Sequence, residues 1–209
     1  MKYIVKQNEP LQLENWKGLK NDDWTPTYNI LQREEKKAVL EALKDEQGYI
    51  CCYCESSIDA DGCHIEHFKP QSLYPENQLD YDNFLCSCQL ELERGKPIHC
   101  GNSKGGWYDE ILLISPLQLG CEEKFKYTFD GYILPAYPED TAAATTINKL
   151  NLGINKLNAK RLKAIEPFLD AELTPNDVAI LAKGYLIDKN QNGGRFNEFY
   201  TTIKYLFPV

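Results

Sequence analysis

The sequence predicts an α+β fold for one domain spanning 1–209: an N-terminal helical lead (1–49), a short-stranded core (50–107), and a β-hairpin plus helical C-terminal region (108–209). Three observations predict it. Seven of the eight cysteines and all three histidines, His64, His67 and His99, fall between Ile50 and Trp107. Asp130-Gly131 stands between the β-forming runs Phe125–Phe129 and Tyr132–Leu134, which reads as a hairpin. From Thr141 onward the chain is punctuated by helix starts and stops.

The elements follow in order. Residues 1–24 form a short lead with Trp16 and Trp24. Thr25 before Pro26 predicts a helix start, with Leu31, Ala38, Val39, Ala42 and Leu43 at helical spacing and Gly48 as the stop. Past the core, 111–117 is an apolar run predicted to be extended. Asp130-Gly131 predicts a two-residue turn of type I′. Helices are expected at 145–152, 154–166, from Thr174 to Asp188, and from Phe196 to Leu206. Thr174-Pro-Asn-Asp177 carries a capping residue, a first-turn proline and an acid in one tetrad.

Charge and composition exclude some functions. The net charge of −8 argues against tight nucleic-acid binding by this chain alone. Residues 51–140 carry 6 basic and 16 acidic side chains, whereas 141–209 carry 9 and 6. Thr141–Ile165 holds Lys149, Lys156, Lys160, Arg161 and Lys163 with no acid, which is either a solvated helix face or a phosphate-tracking patch. There is no long apolar run for a membrane span and no apolar signal segment at the N-terminus, so a cytoplasmic location is expected. Thiols there stay reduced, and a cysteine cluster points to metal or catalysis.

Cys51-x-x-Cys54 is a chelating pair, and zinc favours such sulfur sites. Cys88 and Cys100 are the expected completing pair. Cys86 competes for the third position, and a ligand set that includes His99 is the other arrangement. Cys52, Cys63 and Cys121 read as small buried residues. His64-Ile-Glu-His67 ends an apolar-alternating run: an acid that could hold a divalent cation stands next to an imidazole that could take a proton from water. A regular strand would send Glu66 and His67 to opposite faces, so a shared site requires the strand to end or bend, as Phe68-Lys-Pro70 allows.

Together, the Cys51-x-x-Cys54-Glu knuckle, His-Ile-Glu-His-Phe-Lys-Pro, Asp80-Tyr-Asp-Asn83-Phe, His99-Cys-Gly-Asn-Ser-Lys104 and the downstream Leu-Ile-Ser-Pro-Leu and Phe-Asp-Gly-Tyr-Ile segments resemble the HNH endonucleases of the retron-associated and Septu (PtuB-like) branch. The likeness runs from about residue 1 to 166. It implies a ββα-metal core in which His67 is the general base, Glu66 a metal ligand and Asn83 a brace for the catalytic loop. The position that usually holds a histidine is Gly101, which makes Asn102, or else His99, the expected second ligand of a catalytic Mg²⁺ or Mn²⁺. Zinc on four cysteines would be structural.

Lys104 is the expected phosphate contact, with Lys69, Lys160 and Arg161 as further nucleic-acid contacts. His64 is expected to support the site by bonding Glu66 or the scissile phosphate, or else to be a plain core residue. The family further implies antiphage defence beside an ABC/SMC-like ATPase. DNA is the expected substrate ahead of RNA, although no residue pattern in the sequence distinguishes the two. The competing readings are a retron nuclease acting on tRNA and a zinc-stabilised adaptor that does not cut.

Overall fold

The computed structural model describes residues 1–59, 62–90, 92 and 94–209. It is a mixed α and β chain with seven α-helices and two small antiparallel sheets among the described residues.

Helix α1 (Leu11–Gly18) follows Pro10 and buries Leu13 and Trp16, with Trp16 edge-on to Trp24 at 5.4 Å. Helix α2 (Arg33–Glu46) starts later than Thr25-Pro26 predicts. Tyr28–Ile30 form only a 3₁₀ turn, and Leu31 is buried with ψ at 124°, outside the helical region. Tertiary packing explains the delay: the Tyr28 ring lies 4.4 Å from His67 and 5.8 Å from Phe84, a position the turn provides. The stop is at Gly48, whose φ of 60° lets Tyr49 N–H return to the Lys44 carbonyl at 2.9 Å. Val39 and Leu43 are fully buried, each contributing about 1.5–3 kcal/mol.

Strands β1 (Cys63–His67) and β2 (Phe84–Cys88) pair antiparallel, from Cys63 opposite Cys88 to His67 opposite Phe84. Every residue of β2 is buried. The short helix α3 (Cys100–Lys104) packs against β2, so the chain runs strand, strand, helix through this region. The 111–117 run is not a strand. Asp109 Oδ1 accepts from the N–H groups of Ile111 and Leu112 at 2.9 Å and curls the chain into turns. Leu113 and Ile114 are buried there without a ladder, and Ile111 is exposed.

Strands β3 (Phe125–Tyr127) and β4 (Ile133–Pro135) form the predicted hairpin. Its loop is five residues, Thr128–Tyr132, and of Asp130 and Gly131 only Gly131 has positive φ (85°), so the turn is not type I′. Glycine is required at 131 for a second reason: a Cβ there would collide with the Asn158 carbonyl of the adjacent helix.

Helix α4 (Thr141–Lys149) is capped by Asp140 and starts four residues before the predicted Thr145. Helices α5 (Asn155–Ile165) and α6 (Pro175–Tyr185) follow, and the Thr174–Asp177 capping box is present. Helix α7 (Tyr200–Leu206) starts after Phe199, which sits at φ 52°, rather than at Phe196. It is tied to the cysteine knuckle: Phe199 N–H donates to the Glu55 carbonyl at 3.0 Å, and Thr201 N–H to the Glu55 carboxylate at 2.8 Å. No described helix is long and apolar enough to cross a membrane.

Candidate active site and metal centre

The first cluster is made of sulfur. Sγ atoms of Cys51, Cys54, Cys88 and Cys100 all lie within 4.8 Å of one another, and all four residues are buried. The backbone turns back after each pair. Glu55 takes φ 64°, so its N–H reaches the Cys51 carbonyl, and Ser56 N–H points at Cys54 Sγ at 3.5 Å. Cys88 N–H points at Cys51 Sγ at 3.4 Å, and Gln89 and Cys100 also take positive φ. These left-handed residues store local strain that the cluster must offset.

The thiols compete for charge. Burial pushes Cys51 up, yet hydrogen bonds from Cys100, Cys52, Cys54 and Cys88 hold it well below the usual thiol range. Cys54 likewise falls to about 6 against burial, chiefly through Cys100. Cys88 accepts from Cys100 but is raised by donating to Cys51 and Cys54, and Cys100 is raised by burial and by the same donations. Four sulfurs this close cannot all be thiolates unless a cation neutralises them. Four buried thiols at this spacing fit a tetrahedral, sulfur-preferring ion such as zinc. Cys86 lies outside the cluster and hydrogen-bonds with Cys63 instead.

His99 corrects an expectation. Its Nδ1 lies 3.1 Å from Cys100 Sγ and 3.7 Å from Cys88 Sγ, so it flanks the thiols rather than Glu66. Asn102, the other expected ligand, gives its amide to the Gln89 carbonyl at 2.7 Å and so holds the segment that leaves β2.

The second cluster surrounds Glu66, whose carboxylate is buried. Its Oε1 accepts from Tyr53 OH at 3.2 Å and pairs with Lys104 Nζ at 3.0 Å. Its Oε2 faces His64 Nε2 at 3.7 Å. Lys104 Nζ also donates to the His67 carbonyl at 3.0 Å, linking Glu66 to the end of β1. Gly101 borders this cluster: a Cβ there would collide with Glu66 Oε2 and lie 3.0 Å from His64 Nε2.

His67 closes β1, and the chain bends at Phe68–Lys69 directly after it. Its Nε2 donates to the Gln78 carbonyl at 3.1 Å, and its Nδ1 accepts from Gln71 Nε2 at 3.2 Å. That pattern selects the tautomer with the lone pair on Nδ1. Tyr28 and Phe84 pack edge-on to the imidazole at 4.4 and 4.8 Å. Burial lowers its pKa below 6.5, so the ring is neutral at pH 7.

Asn83 grips the loop that holds His67. Its Oδ1 accepts from Lys69 N–H at 2.7 Å, and its Nδ2 donates to the carbonyls of Lys69 at 3.0 Å and Asn77 at 3.2 Å. Asn77 immediately precedes Gln78, the residue whose carbonyl anchors the imidazole.

The cations expected to meet nucleic acid are placed differently. Lys104 is buried on Glu66. Lys69 is half-buried with its ammonium 5.5 Å from the Tyr74 ring, and Lys160 is half-buried on α5. Arg161 is the correction: it is fully buried, and its guanidinium donates to the carbonyls of Gly131 at 3.3 Å and Leu152 at 2.8 Å and to Asn158 Oδ1 at 3.0 Å. It cannot reach a surface phosphate, because it serves as the hub joining the β3–β4 loop to α5. Arg161→Ala should therefore lower stability by about 3 kcal/mol, since buried carbonyls lose their donors, and leave nucleic-acid affinity unchanged well below the melting temperature. Urea titration and fluorescence anisotropy check the two halves.

Tyr53, Gln71, Gln78 and Tyr28 are site residues that sequence reasoning missed. Tyr53 had a signal, since it lies inside Cys51-x-x-Cys54 and is carried to Glu66 by the same turn. The others contact His67 only through tertiary packing.

A buried four-cysteine group in a mixed α and β chain, beside a strand-borne acid and imidazole, is consistent with an HNH core. No protein-family model matches the chain. It is 33% identical over 172 residues, 78% of this chain and 82% of the other, to a protein of Vibrio cholerae serotype O1 biovar El Tor named "Retron Vc95 putative HNH endonuclease". It is 29% identical over 210 residues, 80% of each chain, to an Escherichia coli protein designated in the same way for retron Ec83. The chain belongs to the retron HNH endonuclease family and is an endonuclease.

Proposed function

We propose that this endonuclease hydrolyses phosphodiester bonds with His67 as general base and Glu66 as a ligand of a catalytic divalent cation, on a ββα-metal core that structural zinc holds together. The observation that carries this reading is the His67 imidazole, neutral and anchored on one nitrogen by the Gln78 carbonyl, with its basic Nδ1 bonded to the Gln71 side-chain amide. A water that displaces the Gln71 amide would give its proton to Nδ1 as it attacks phosphorus in line. Asn83 keeps the aim by clamping Lys69 and Asn77. Mg²⁺ or Mn²⁺ on Glu66 would supply charge for the phosphorane and the leaving 3′ oxygen. The donors fit such an ion: a buried carboxylate with its Oε2 turned to an imidazole rather than to an ammonium. Lys104, buried beside that carboxylate, would meet a phosphate only inside the site.

The substrate we propose is DNA, and the setting is retron-type antiphage defence beside an ABC/SMC-like ATPase. The net charge of −8 supports the need for a partner, since this chain alone repels a polyanion. The test is cleavage of labelled duplex DNA, single-stranded DNA and tRNA, with and without the ATPase, in Mg²⁺, Mn²⁺ or EDTA. Metal-dependent DNA cleavage stimulated by the partner is expected. Cleavage of tRNA alone would overturn the substrate assignment.

A further inference from the structure

We propose that His64 is the second protein ligand of the divalent cation on Glu66, supplied from strand β1 instead of helix α3. The proposal rests on the reading of Glu66 as a metal ligand and goes beyond it by naming the other half of the site.

Three observations carry it. His64 and Glu66 are two residues apart on one strand, so both side chains leave the same face of β1. Their facing atoms, Nε2 and Oε2, are 3.7 Å apart. That is too long for a hydrogen bond. It lies just beyond the spacing of two ligands of one ion, since donors about 2.1 Å from a shared metal at angles of 90–120° stand about 3.0–3.6 Å apart, so a small inward turn of the imidazole would close the pair on an ion.

The second observation is how the carboxylate is divided. Tyr53 and Lys104 both engage Oε1, leaving Oε2 to His64. The third is Gly101. Its Cβ direction points at this pair, and any side chain there would overlap Glu66 Oε2. Helix α3 therefore contributes space at 101 and, three residues on, the Lys104 ammonium, but no ligand from 101 itself. The imidazole of His64 stands where a side chain from 101 would project. His64 also retains partial exposure, 24% of its side chain, so an ion can reach it from solvent.

The experiment is Mn²⁺ binding to the zinc-loaded chain, followed by calorimetry and by electron spin echo spectroscopy, which detects nitrogen bound directly to manganese. A His67→Ala background removes the other nearby imidazole from the signal. Bound Mn²⁺ with a nitrogen modulation that disappears in His64→Ala, together with affinity weakened about tenfold or more, is the expected result. Zinc content and melting temperature report folding, and His64→Gln serves if the alanine variant is unstable. Mn²⁺ that binds in a Glu66-dependent way with no nitrogen modulation overturns the His64 assignment and leaves the role of Glu66 standing. Mn²⁺ binding unaffected by Glu66→Gln overturns both.

Discussion

His67→Ala should lower the rate of phosphodiester cleavage by about 10²–10⁴-fold, the range for loss of a positioned general base. Zinc content should not change, because the imidazole bonds to Gln78 and Gln71 and makes no contact with the sulfur cluster. Substrate binding should change little as well, since the ring acts on the attacking water. A variant that folds, binds zinc and still cuts at the parental rate would remove His67 from the chemistry.

The same residue sets a pH dependence. Burial lowers the His67 pKa below 6.5, so the base stays neutral until the solution is more acidic than that, and the acid limb of the cleavage profile lies below pH 6.5. The sign for stability follows. Between 6.5 and the lower folded value, the unfolded chain binds a proton that the folded chain refuses. Stability is therefore complete above pH 6.5 and falls as pH drops through that window. His67→Ala should flatten this part of the stability profile, which denaturant titrations at pH 5 to 7 would measure.

Cys88→Ser should have the largest effect on the fold. Structural zinc sites carry apparent binding free energies of about 10–16 kcal/mol, as large as the whole stability of a typical domain at about 5–15 kcal/mol. Here the cluster also sets the neighbouring site. Cys100 opens α3, which carries Gly101 and Lys104 to Glu66, and Cys51 and Cys54 bracket Tyr53. Losing one sulfur should abolish both zinc retention and a cooperative melt, where the parent is expected to hold about one zinc per chain. Elemental analysis and calorimetric scans test this. A Cys88→Ser protein that keeps its zinc and melts like the parent would show that the four thiols do not form the structural site.

Much of the architecture was legible in local chemistry. The Thr174–Asp177 capping box, the Gly48 stop and the β-formers around Asp130-Gly131 depend on neighbours a few residues away, and each element is present. The chelating spacing of Cys51 and Cys54 likewise needs only a tight turn, which Glu55 supplies at φ 64°. Where distant packing competes, local signals failed. Thr25-Pro26 did not start a helix because Tyr28 packs on His67, and the apolar run at 111–117 curls around the Asp109 cap to bury Leu113 and Ile114. The basic stretch hid a similar failure: sequence cannot show which way a helix turns, and Arg161 faces the core.

By itself, then, the sequence determined which residues could bind metal, where the thiol pair begins and that an acid and an imidazole adjoin at the end of a strand. Those are properties of residue type and short spacing. Only the tertiary structure decided which imidazole stands beside Glu66. His64, Glu66, Gly101 and Lys104 come from two elements whose approach is set by the pairing of β1 with β2 and the packing of α3 on β2. Asn102 and His99 looked closer to the vacant family position along the chain. The path of the backbone turns them to Gln89 and to the thiols instead, because proximity in sequence does not specify which face of a three-element unit a side chain reaches.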